Sequence, residues 1–330
     1  MNLDPQAQFR HSLQQVINNI KSRTRHCMCT FCRENTIKYS HVLSKSQILK
    51  PISEGSKIYQ FEYRPLFYPD EPIRYSLRGI NEAYTFKGFC SQHDNNIFSP
   101  IEPTTGRVDW SDIKNQYLLG YRTLCNEMAT QEIVYDINDH LLTYSDLEDQ
   151  NYKLDLLIKK GNLMSSCATL LHYKKILEKG IFGGDYSGYN FKHIELPFQF
   201  DLCVCSPIHV DDGRGLCFKY DHQESNIVMI FPYFGITEII IGYSSEFENV
   251  WMNNIITEFR SNNPLSLSRA FANVLYRVEF NAMSPKLYNS LDPSLVELFL
   301  KTFAQNASVY SLDIYGVENL FLTPLKLLLS

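Results

Sequence analysis

No stretch of the chain approaches the roughly 18 apolar residues of a membrane-spanning helix. The first twenty residues also lack the basic start and unbroken apolar run of a secretory leader. A soluble, cytoplasmic protein with no membrane partner is the expectation. Phosphate-binding loops of the Walker or Gly-x-Gly-x-x-Gly kind are missing. Asp185-Tyr186-Ser187-Gly188 lacks the Gly-x-Ser-x-Gly frame of a hydrolase nucleophile turn and reads as a loop. There is no internal repeat and no low-complexity tract. Charge is sparse, at 20% of residues with a net −5, which excludes histone-like overall basicity. Nine cysteines, an odd number without a secretory signal, exclude a secreted disulfide framework and point instead to reduced thiols.

What is present is apolar and aromatic. The 330 residues are 44% hydrophobic and include 21 Phe and 21 Tyr, enough for sizeable cores in two or three folded units. The charge is uneven: through Glu102 the chain has 13 Lys and Arg against 9 Asp and Glu, and beyond it 18 against 27. Basic character therefore sits at the N-terminus.

Periodicity divides the chain. Asp4-Pro5 starts an amphipathic helix to about residue 22, with Phe9, Leu13, Val16, Ile17 and Ile20 on one face. Residues 33–106 are rich in Tyr, Pro and Gly without helical period. Trp110, Ile113, Tyr117, Tyr121, Leu124 and Met128 then predict a helix over 109–135. The capping pattern Ser145-Asp146-Leu147-Glu148 predicts a second helix to Gly180, with Gly161 a point of interruption. Gly180, Gly183, Gly184 and Gly188 mark a boundary. Strands are predicted at 198–210, 216–220, 227–234 and 237–243, and helices at 246–260, 266–279 and after Pro293. The expected fold class is α+β. Its parts are a zinc-stapled module with an N-terminal helix (1–106), an αα-hairpin (107–190), and an antiparallel sheet with helices on one side (191–330).

Chemistry concentrates in two short segments. Cys29-x-x-Cys32 and Cys90-x-x-His93 have the spacing at which two side chains of one turn reach the same tetrahedral zinc. Cys27 competes with Cys29; the knuckle spacing favours Cys29, and a Cys27–Cys32 pair stays open. Cys203 and Cys205, with Cys217 and His222 beyond, read as a thiol-lined core.

Between the halves stands Tyr39-Ser40-His41-Val42-Leu43. The order of a Cys-x-x-Cys knuckle, a strand ending in histidine, and a second knuckle opening a helix with Asn95 resembles the HNH, or ββα-metal, nucleases over residues 26–102. The segment from Phe86 to Glu102 also resembles uncharacterised bacterial proteins with an N-terminal zinc module. The resemblance implies a metal-dependent endonuclease in which His41 is general base, Asn95 orients its ring, and Asp94 helps hold a catalytic Mg or Mn ion. Arg23, Arg25, Lys38 and Lys45 would contact phosphates, so nucleic acid is the expected partner, DNA ahead of RNA. A protein partner is expected through the C-terminal region. The sequence departs from the family at Ser40, where HNH enzymes commonly carry an acidic residue, and in having no histidine between His93 and His140. These departures set a second reading beside the first: a zinc-stabilised binding or scaffold protein that is not an enzyme.

Overall fold

The computed structural model describes residues 5–37, 39–63, 73–143, 150–209, 225–246, 250–306 and 317–329. Helix α1 (Pro5–Ser22) leads through a compact loop to β1 (Ser40–His41). The hairpin strands β2 (Lys57–Tyr63) and β3 (Ile73–Gly79) follow, then β4 (Thr85–Phe86), which returns to pair with β1. Next come α2 (Ser91–Phe98), α3 (Ile113–Thr143) and α4 (Gln150–Gly183), and then strands β5 (Tyr189–Leu196), β6 (Leu202–His209), β7 (Ser225–Tyr233) and β8 (Ile236–Ser244). The chain closes with α5 (Val250–Phe259), α6 (Pro264–Leu275), β9 (Asn281–Met283), α7 (Pro285–Ser290), α8 (Pro293–Asn306) and α9 (Leu322–Leu329). The α+β class holds. No helix among the described residues is long and apolar enough to cross a membrane.

One seven-stranded sheet, ordered β3-β2-β9-β6-β7-β8-β5 and antiparallel at every pairing, organises these parts. Alternation along each strand sends side chains to two cores. Cys203, Cys205, Ile227, Met229, Phe231 and Ile240 face Tyr117, Tyr121, Leu124 and Cys125 of α3, with Tyr173 and Leu177 of α4. Leu202, Val204, Val228, Ile230, Ile239 and Ile241 face the C-terminal helices, packing with Phe259, Phe271, Val274, Phe299 and Leu325. Helices therefore cover both faces of the sheet, not one. That explains why β7 and β8 read as nearly unbroken apolar runs. The thiols of Cys203 and Cys205 are buried core groups, as expected; Cys217 and His222 lie outside the described residues.

The sheet also crosses the boundary expected at residue 106. The segment between the two metal-binding halves supplies β2 and β3, and β2 pairs with β9 through Tyr59 opposite Met283 and Gln60 opposite Ala282. The first and third parts of the chain thus share one sheet. Strand β5, which the glycine-marked segment concealed, pairs along its full length with β8. Helix α4 runs unbroken through Gly161. Helix α1 packs Leu13, Ile17 and Ile20 on Ile137 and Leu141 of α3 and Leu156 of α4. The strand predicted at 216–220 and the capping residues 145–148 lie outside the described residues.

Gly242 of β8 lies opposite Phe191 in register, and an added Cβ would meet ring atoms of Phe191 and Tyr189 at 2.5 and 2.6 Å. Both rings are hemmed in by Tyr117 and Tyr173 and have little room to retreat. Gly242→Ala is expected to cost about 1–3 kcal/mol, read as a lower urea midpoint at unchanged slope.

Candidate metal centre

The loop after α1 folds back on itself. Cys27 N–H donates to Glu34 O at 2.9 Å, Thr36 N–H to Arg25 O at 2.9 Å, and Cys32 N–H to Cys29 O at 3.0 Å. Met28 N–H donates to Gly88 O, and Ile37 N–H to Phe89 O, which fastens this loop beside the segment leading into α2. The start of α2 therefore meets the loop. Cys90 caps the helix and His93 sits in its first turn. Cys27, Cys32, Cys90 and His93 present four ligand atoms that all lie within 4.8 Å of one another and could hold a metal ion. His93 Nδ1 is 3.2 Å from Cys90 Sγ and 3.5 Å from Cys27 Sγ, and Cys32 Sγ is 4.0 Å from Cys90 Sγ.

Cys27, not Cys29, completes the set, so the first half has the spacing Cys-x4-Cys. The reason is the turn at Cys29–Cys32, where Phe31 takes φ +70. Cys29 lies instead beside a buried ion pair of α4. Burial first, and then the Glu178 carboxylate, raise its thiol pKa against the opposing pull of Lys174. Burial raises the Cys27 thiol to about 12, while Cys90 is drawn below its ordinary value. At Cys90 burial is outweighed by backbone N–H groups of His93 and Gln92 and by the neighbouring thiols. A thiol at a helix N-terminus is already biased toward the thiolate a metal requires.

Two charge networks hold this centre in the protein. Glu178 accepts from Thr30 Oγ1 at 2.5 Å, Thr30 N–H at 3.2 Å, Tyr121 OH at 2.8 Å and Lys174 Nζ at 2.6 Å. Burial works against this carboxylate, but Lys174, Thr30 and Tyr121 together keep its pKa low. In the second network Arg122 of α3, 1% exposed, donates to Glu102 at 2.7 Å and Asp94 at 3.3 Å, with its guanidinium 4.1 Å from the centre of the Phe98 ring. Asp94 also accepts from Ser40 Oγ at 2.5 Å.

This second network decides where the expected catalytic residues go. His41 is half-buried at the end of β1, with Nε2 3.2 Å from Ile80 O, and burial lowers its pKa. Glu102, Arg122 and Lys45 act on it electrostatically. Asp94 turns inward to Ser40 and Arg122. Asn95, a hundred degrees further round α2, is exposed and donates to Ser91 Oγ at 3.4 Å. The structure brings His41 beside the Asp94–Arg122–Glu102 group and leaves Asn95 on the outer side of the helix. Asp94, the oxygen donor expected for Mg or Mn, and Glu102 beside it both face the buried guanidinium of Arg122.

The basic residues also divide. Arg25 is turned inward, pairing with Glu132 at 2.9 Å and Asp136 at 3.1 Å on α3. Arg23 is exposed, 3.7 Å from Asp136, and Lys45 is exposed; Lys38 lies outside the described residues. Arg25 therefore joins loop to helix and does not form part of a phosphate-facing surface.

A second cluster lies on the sheet edge. His193 and Glu195 project from one face of β5, and Glu238 of β8 lies directly opposite Glu195. His193 Nε2 is 2.6 Å from buried Glu238, and this contact raises the imidazole pKa despite the opposing effect of burial. Lys174 with Glu178 had a readable signal, an i,i+4 ion pair set among Leu170, Tyr173 and Leu177. His193 with Glu238 had none, because strand register is not written in single residues. No family model, curated protein or solved structure matches the chain.

Cys27→Ser is expected to lose bound metal, whereas Cys29→Ser should retain it, as measured by elemental analysis of freshly purified protein. The His193–Glu238 pair predicts a pH effect of defined sign. A histidine whose folded pKa is raised gives stability that is complete below its unfolded value near 6.5 and is lost as pH rises through the folded value. The urea midpoint should fall across that interval, and His193→Gln should remove this part of the pH dependence.

Proposed function

We propose that this chain is a zinc-stabilised binding or scaffold protein whose HNH-like segment serves as a structural staple and not as a hydrolytic centre. Zinc is the ion this reading assigns to Cys27, Cys32, Cys90 and His93. A tetrahedral zinc with thiolate and imidazole bonds of about 2.0–2.3 Å needs ligand atoms roughly 3.3–3.8 Å apart. The separations of 3.2, 3.5 and 4.0 Å are close to that without rearrangement. Four protein ligands fill a structural zinc site, whereas a catalytic zinc keeps one position for water or substrate.

The observation that carries the non-enzymatic reading is Arg122. A nuclease of the ββα-metal kind needs a divalent ion beside its histidine, held by oxygen donors. Here the two carboxylates on that side share a permanent, fully buried cation. Phe31 supports a binding role. It is 100% exposed and sits at φ +70 on the tip of the stapled turn, so it gains neither burial nor a relaxed backbone from its position. An exposed aromatic held on a rigid tip suits contact with a protein partner.

One observation favours the nuclease reading. Burial keeps His41 neutral, and its Nε2 is fixed on a backbone carbonyl, as a general base requires.

A cleavage assay separates the two. The expected result is one zinc per chain and no nicking of plasmid DNA or RNA in Mg²⁺ or Mn²⁺, with His41→Ala indistinguishable from wild type. Metal-dependent cleavage that falls by about 100-fold or more in His41→Ala, with zinc content unchanged, would establish the nuclease and overturn the scaffold reading.

A further inference from the structure

Helix α4 is apolar on two sides. One side, with Leu156, Leu170, Tyr173 and Leu177, is buried within the protein. The other has Leu154, Leu157, Gly161, Met164, Ala168 and Leu171, all exposed, at alternating spacings of three and four. Spacing of that kind forms a straight seam for a left-handed helix pair. The four large residues of the seam are each between 41 and 60% exposed.

The seam alternates large and small residues over its inner four positions, Leu157, Gly161, Met164 and Ala168. When a second copy of α4 is laid antiparallel about the point midway between Gly161 and Met164, Leu154 meets Leu171, Leu157 meets Ala168, and Met164 meets Gly161. At the two inner pairings large side chains fall opposite small ones, which is the condition for interdigitation, and leucines meet at the two ends. A parallel pairing would set Gly161 against Gly161 and Met164 against Met164, leaving a gap beside a crowded layer.

Gly161 supplies an independent reason. Glycine inside a helix costs about 1 kcal/mol relative to alanine. Among the described residues nothing lies within 4 Å of a Cβ placed there, so their packing does not require it. A knob from a second copy does. With Ile158 alongside, the seam exposes roughly 500 Å² of apolar side chain per copy, or about 1,000 Å² in a pair, which reaches the lower threshold of a weak, reversible interface.

We infer that α4 is a self-association surface, pairing two copies of this chain through an antiparallel, two-fold α4–α4 contact centred between Gly161 and Met164. The contact is isologous, so it closes at two copies and does not propagate. It does not depend on whether the HNH-like segment is catalytic.

The test is sedimentation equilibrium of the full chain over a concentration series, with three variants. Wild type is expected to be a monomer–dimer equilibrium. Met164→Glu should weaken the dimer by about 30-fold or more while leaving zinc content and the folded spectrum unchanged. Gly161→Leu should weaken the dimer too, yet raise the thermal midpoint of the monomer, since it fills open space on a helix with a better helix former. A merely structural role for this face would not produce that opposition. Register is read from Leu154→Cys under mild oxidation against Leu171→Cys. Mixed chains should crosslink residue 154 of one copy to residue 171 of the other, identified by peptide mass. A chain that stays monomeric up to about 100 μM, a dimer indifferent to Met164→Glu, or a 154-to-154 crosslink would each overturn the proposal.

Discussion

Four ligand atoms from two segments must meet within a few ångströms, and 57 residues lie between Cys32 and Cys90. That closure is the constraint on which the architecture turns. A closed loop of such length would be entropically expensive and shapeless if it stood alone. Here its interior is absorbed into structure built by the rest of the chain. Strands β2 and β3 extend the main sheet past β9, and the short β1–β4 ribbon closes the neck beneath them. The Cys/His cluster and the sheet edge are thus two ends of the same solution: the cluster marks where the loop starts and stops, and the pairing with β9 fixes where its middle goes.

The two buried charge networks serve position more than stability. Removing charges from water to form Lys174–Glu178 or Arg122–Asp94–Glu102 offsets much of the attraction gained, and apolar replacements could match it. What an apolar contact could not supply is direction. Glu178 accepts from a side chain and a backbone N–H of the same residue, Thr30, so the knuckle tip has one orientation on α4. Arg122 joins α3 to both ends of the short helix that carries His93, because Asp94 lies in its first turn and Glu102 just beyond its last. Two long helices and one ligand helix are thereby held at a common angle around the centre.

Much of this was legible in the sequence, and the unreadable parts share one cause. Three- and four-residue spacing located α3 and α4. Cysteine and histidine spacing located three of the four residues that could hold a metal ion, and the helix that opens at Cys90. Of the two alternatives that spacing leaves open, Cys29 and Cys27, the structure brings Cys27 into the cluster, because the loop turns Cys29 toward the Lys174–Glu178 pair of α4. Asn95 was misplaced by one residue's rotation on a helix: Asp94 faces inward and its neighbour faces out. The seven-stranded sheet was hidden because its members come from both ends of the chain, and β5 was obscured by the glycines that precede it. Local patterns announce elements; which distant element a strand joins depends on register and on what covers each face.

β5 is the last strand of the sheet among the described residues, with Tyr117 OH bonded to both the N–H and the C=O of Tyr189 at its start, and this margin has a consequence for how the chain meets other strands. An unpaired strand edge offers a row of backbone donors and acceptors to any other extended chain. β5 carries Lys192, His193 and Glu195 within four residues and is followed at once by Pro197, which has no amide proton to offer. A strand approaching from another molecule would have to bring its backbone alongside closely spaced charges of both signs and then lose its pairing at the proline. Charged side chains and a proline at this margin thus oppose the addition of a further strand, which is the kind of interruption by which sheet edges resist growth into extended β-structure.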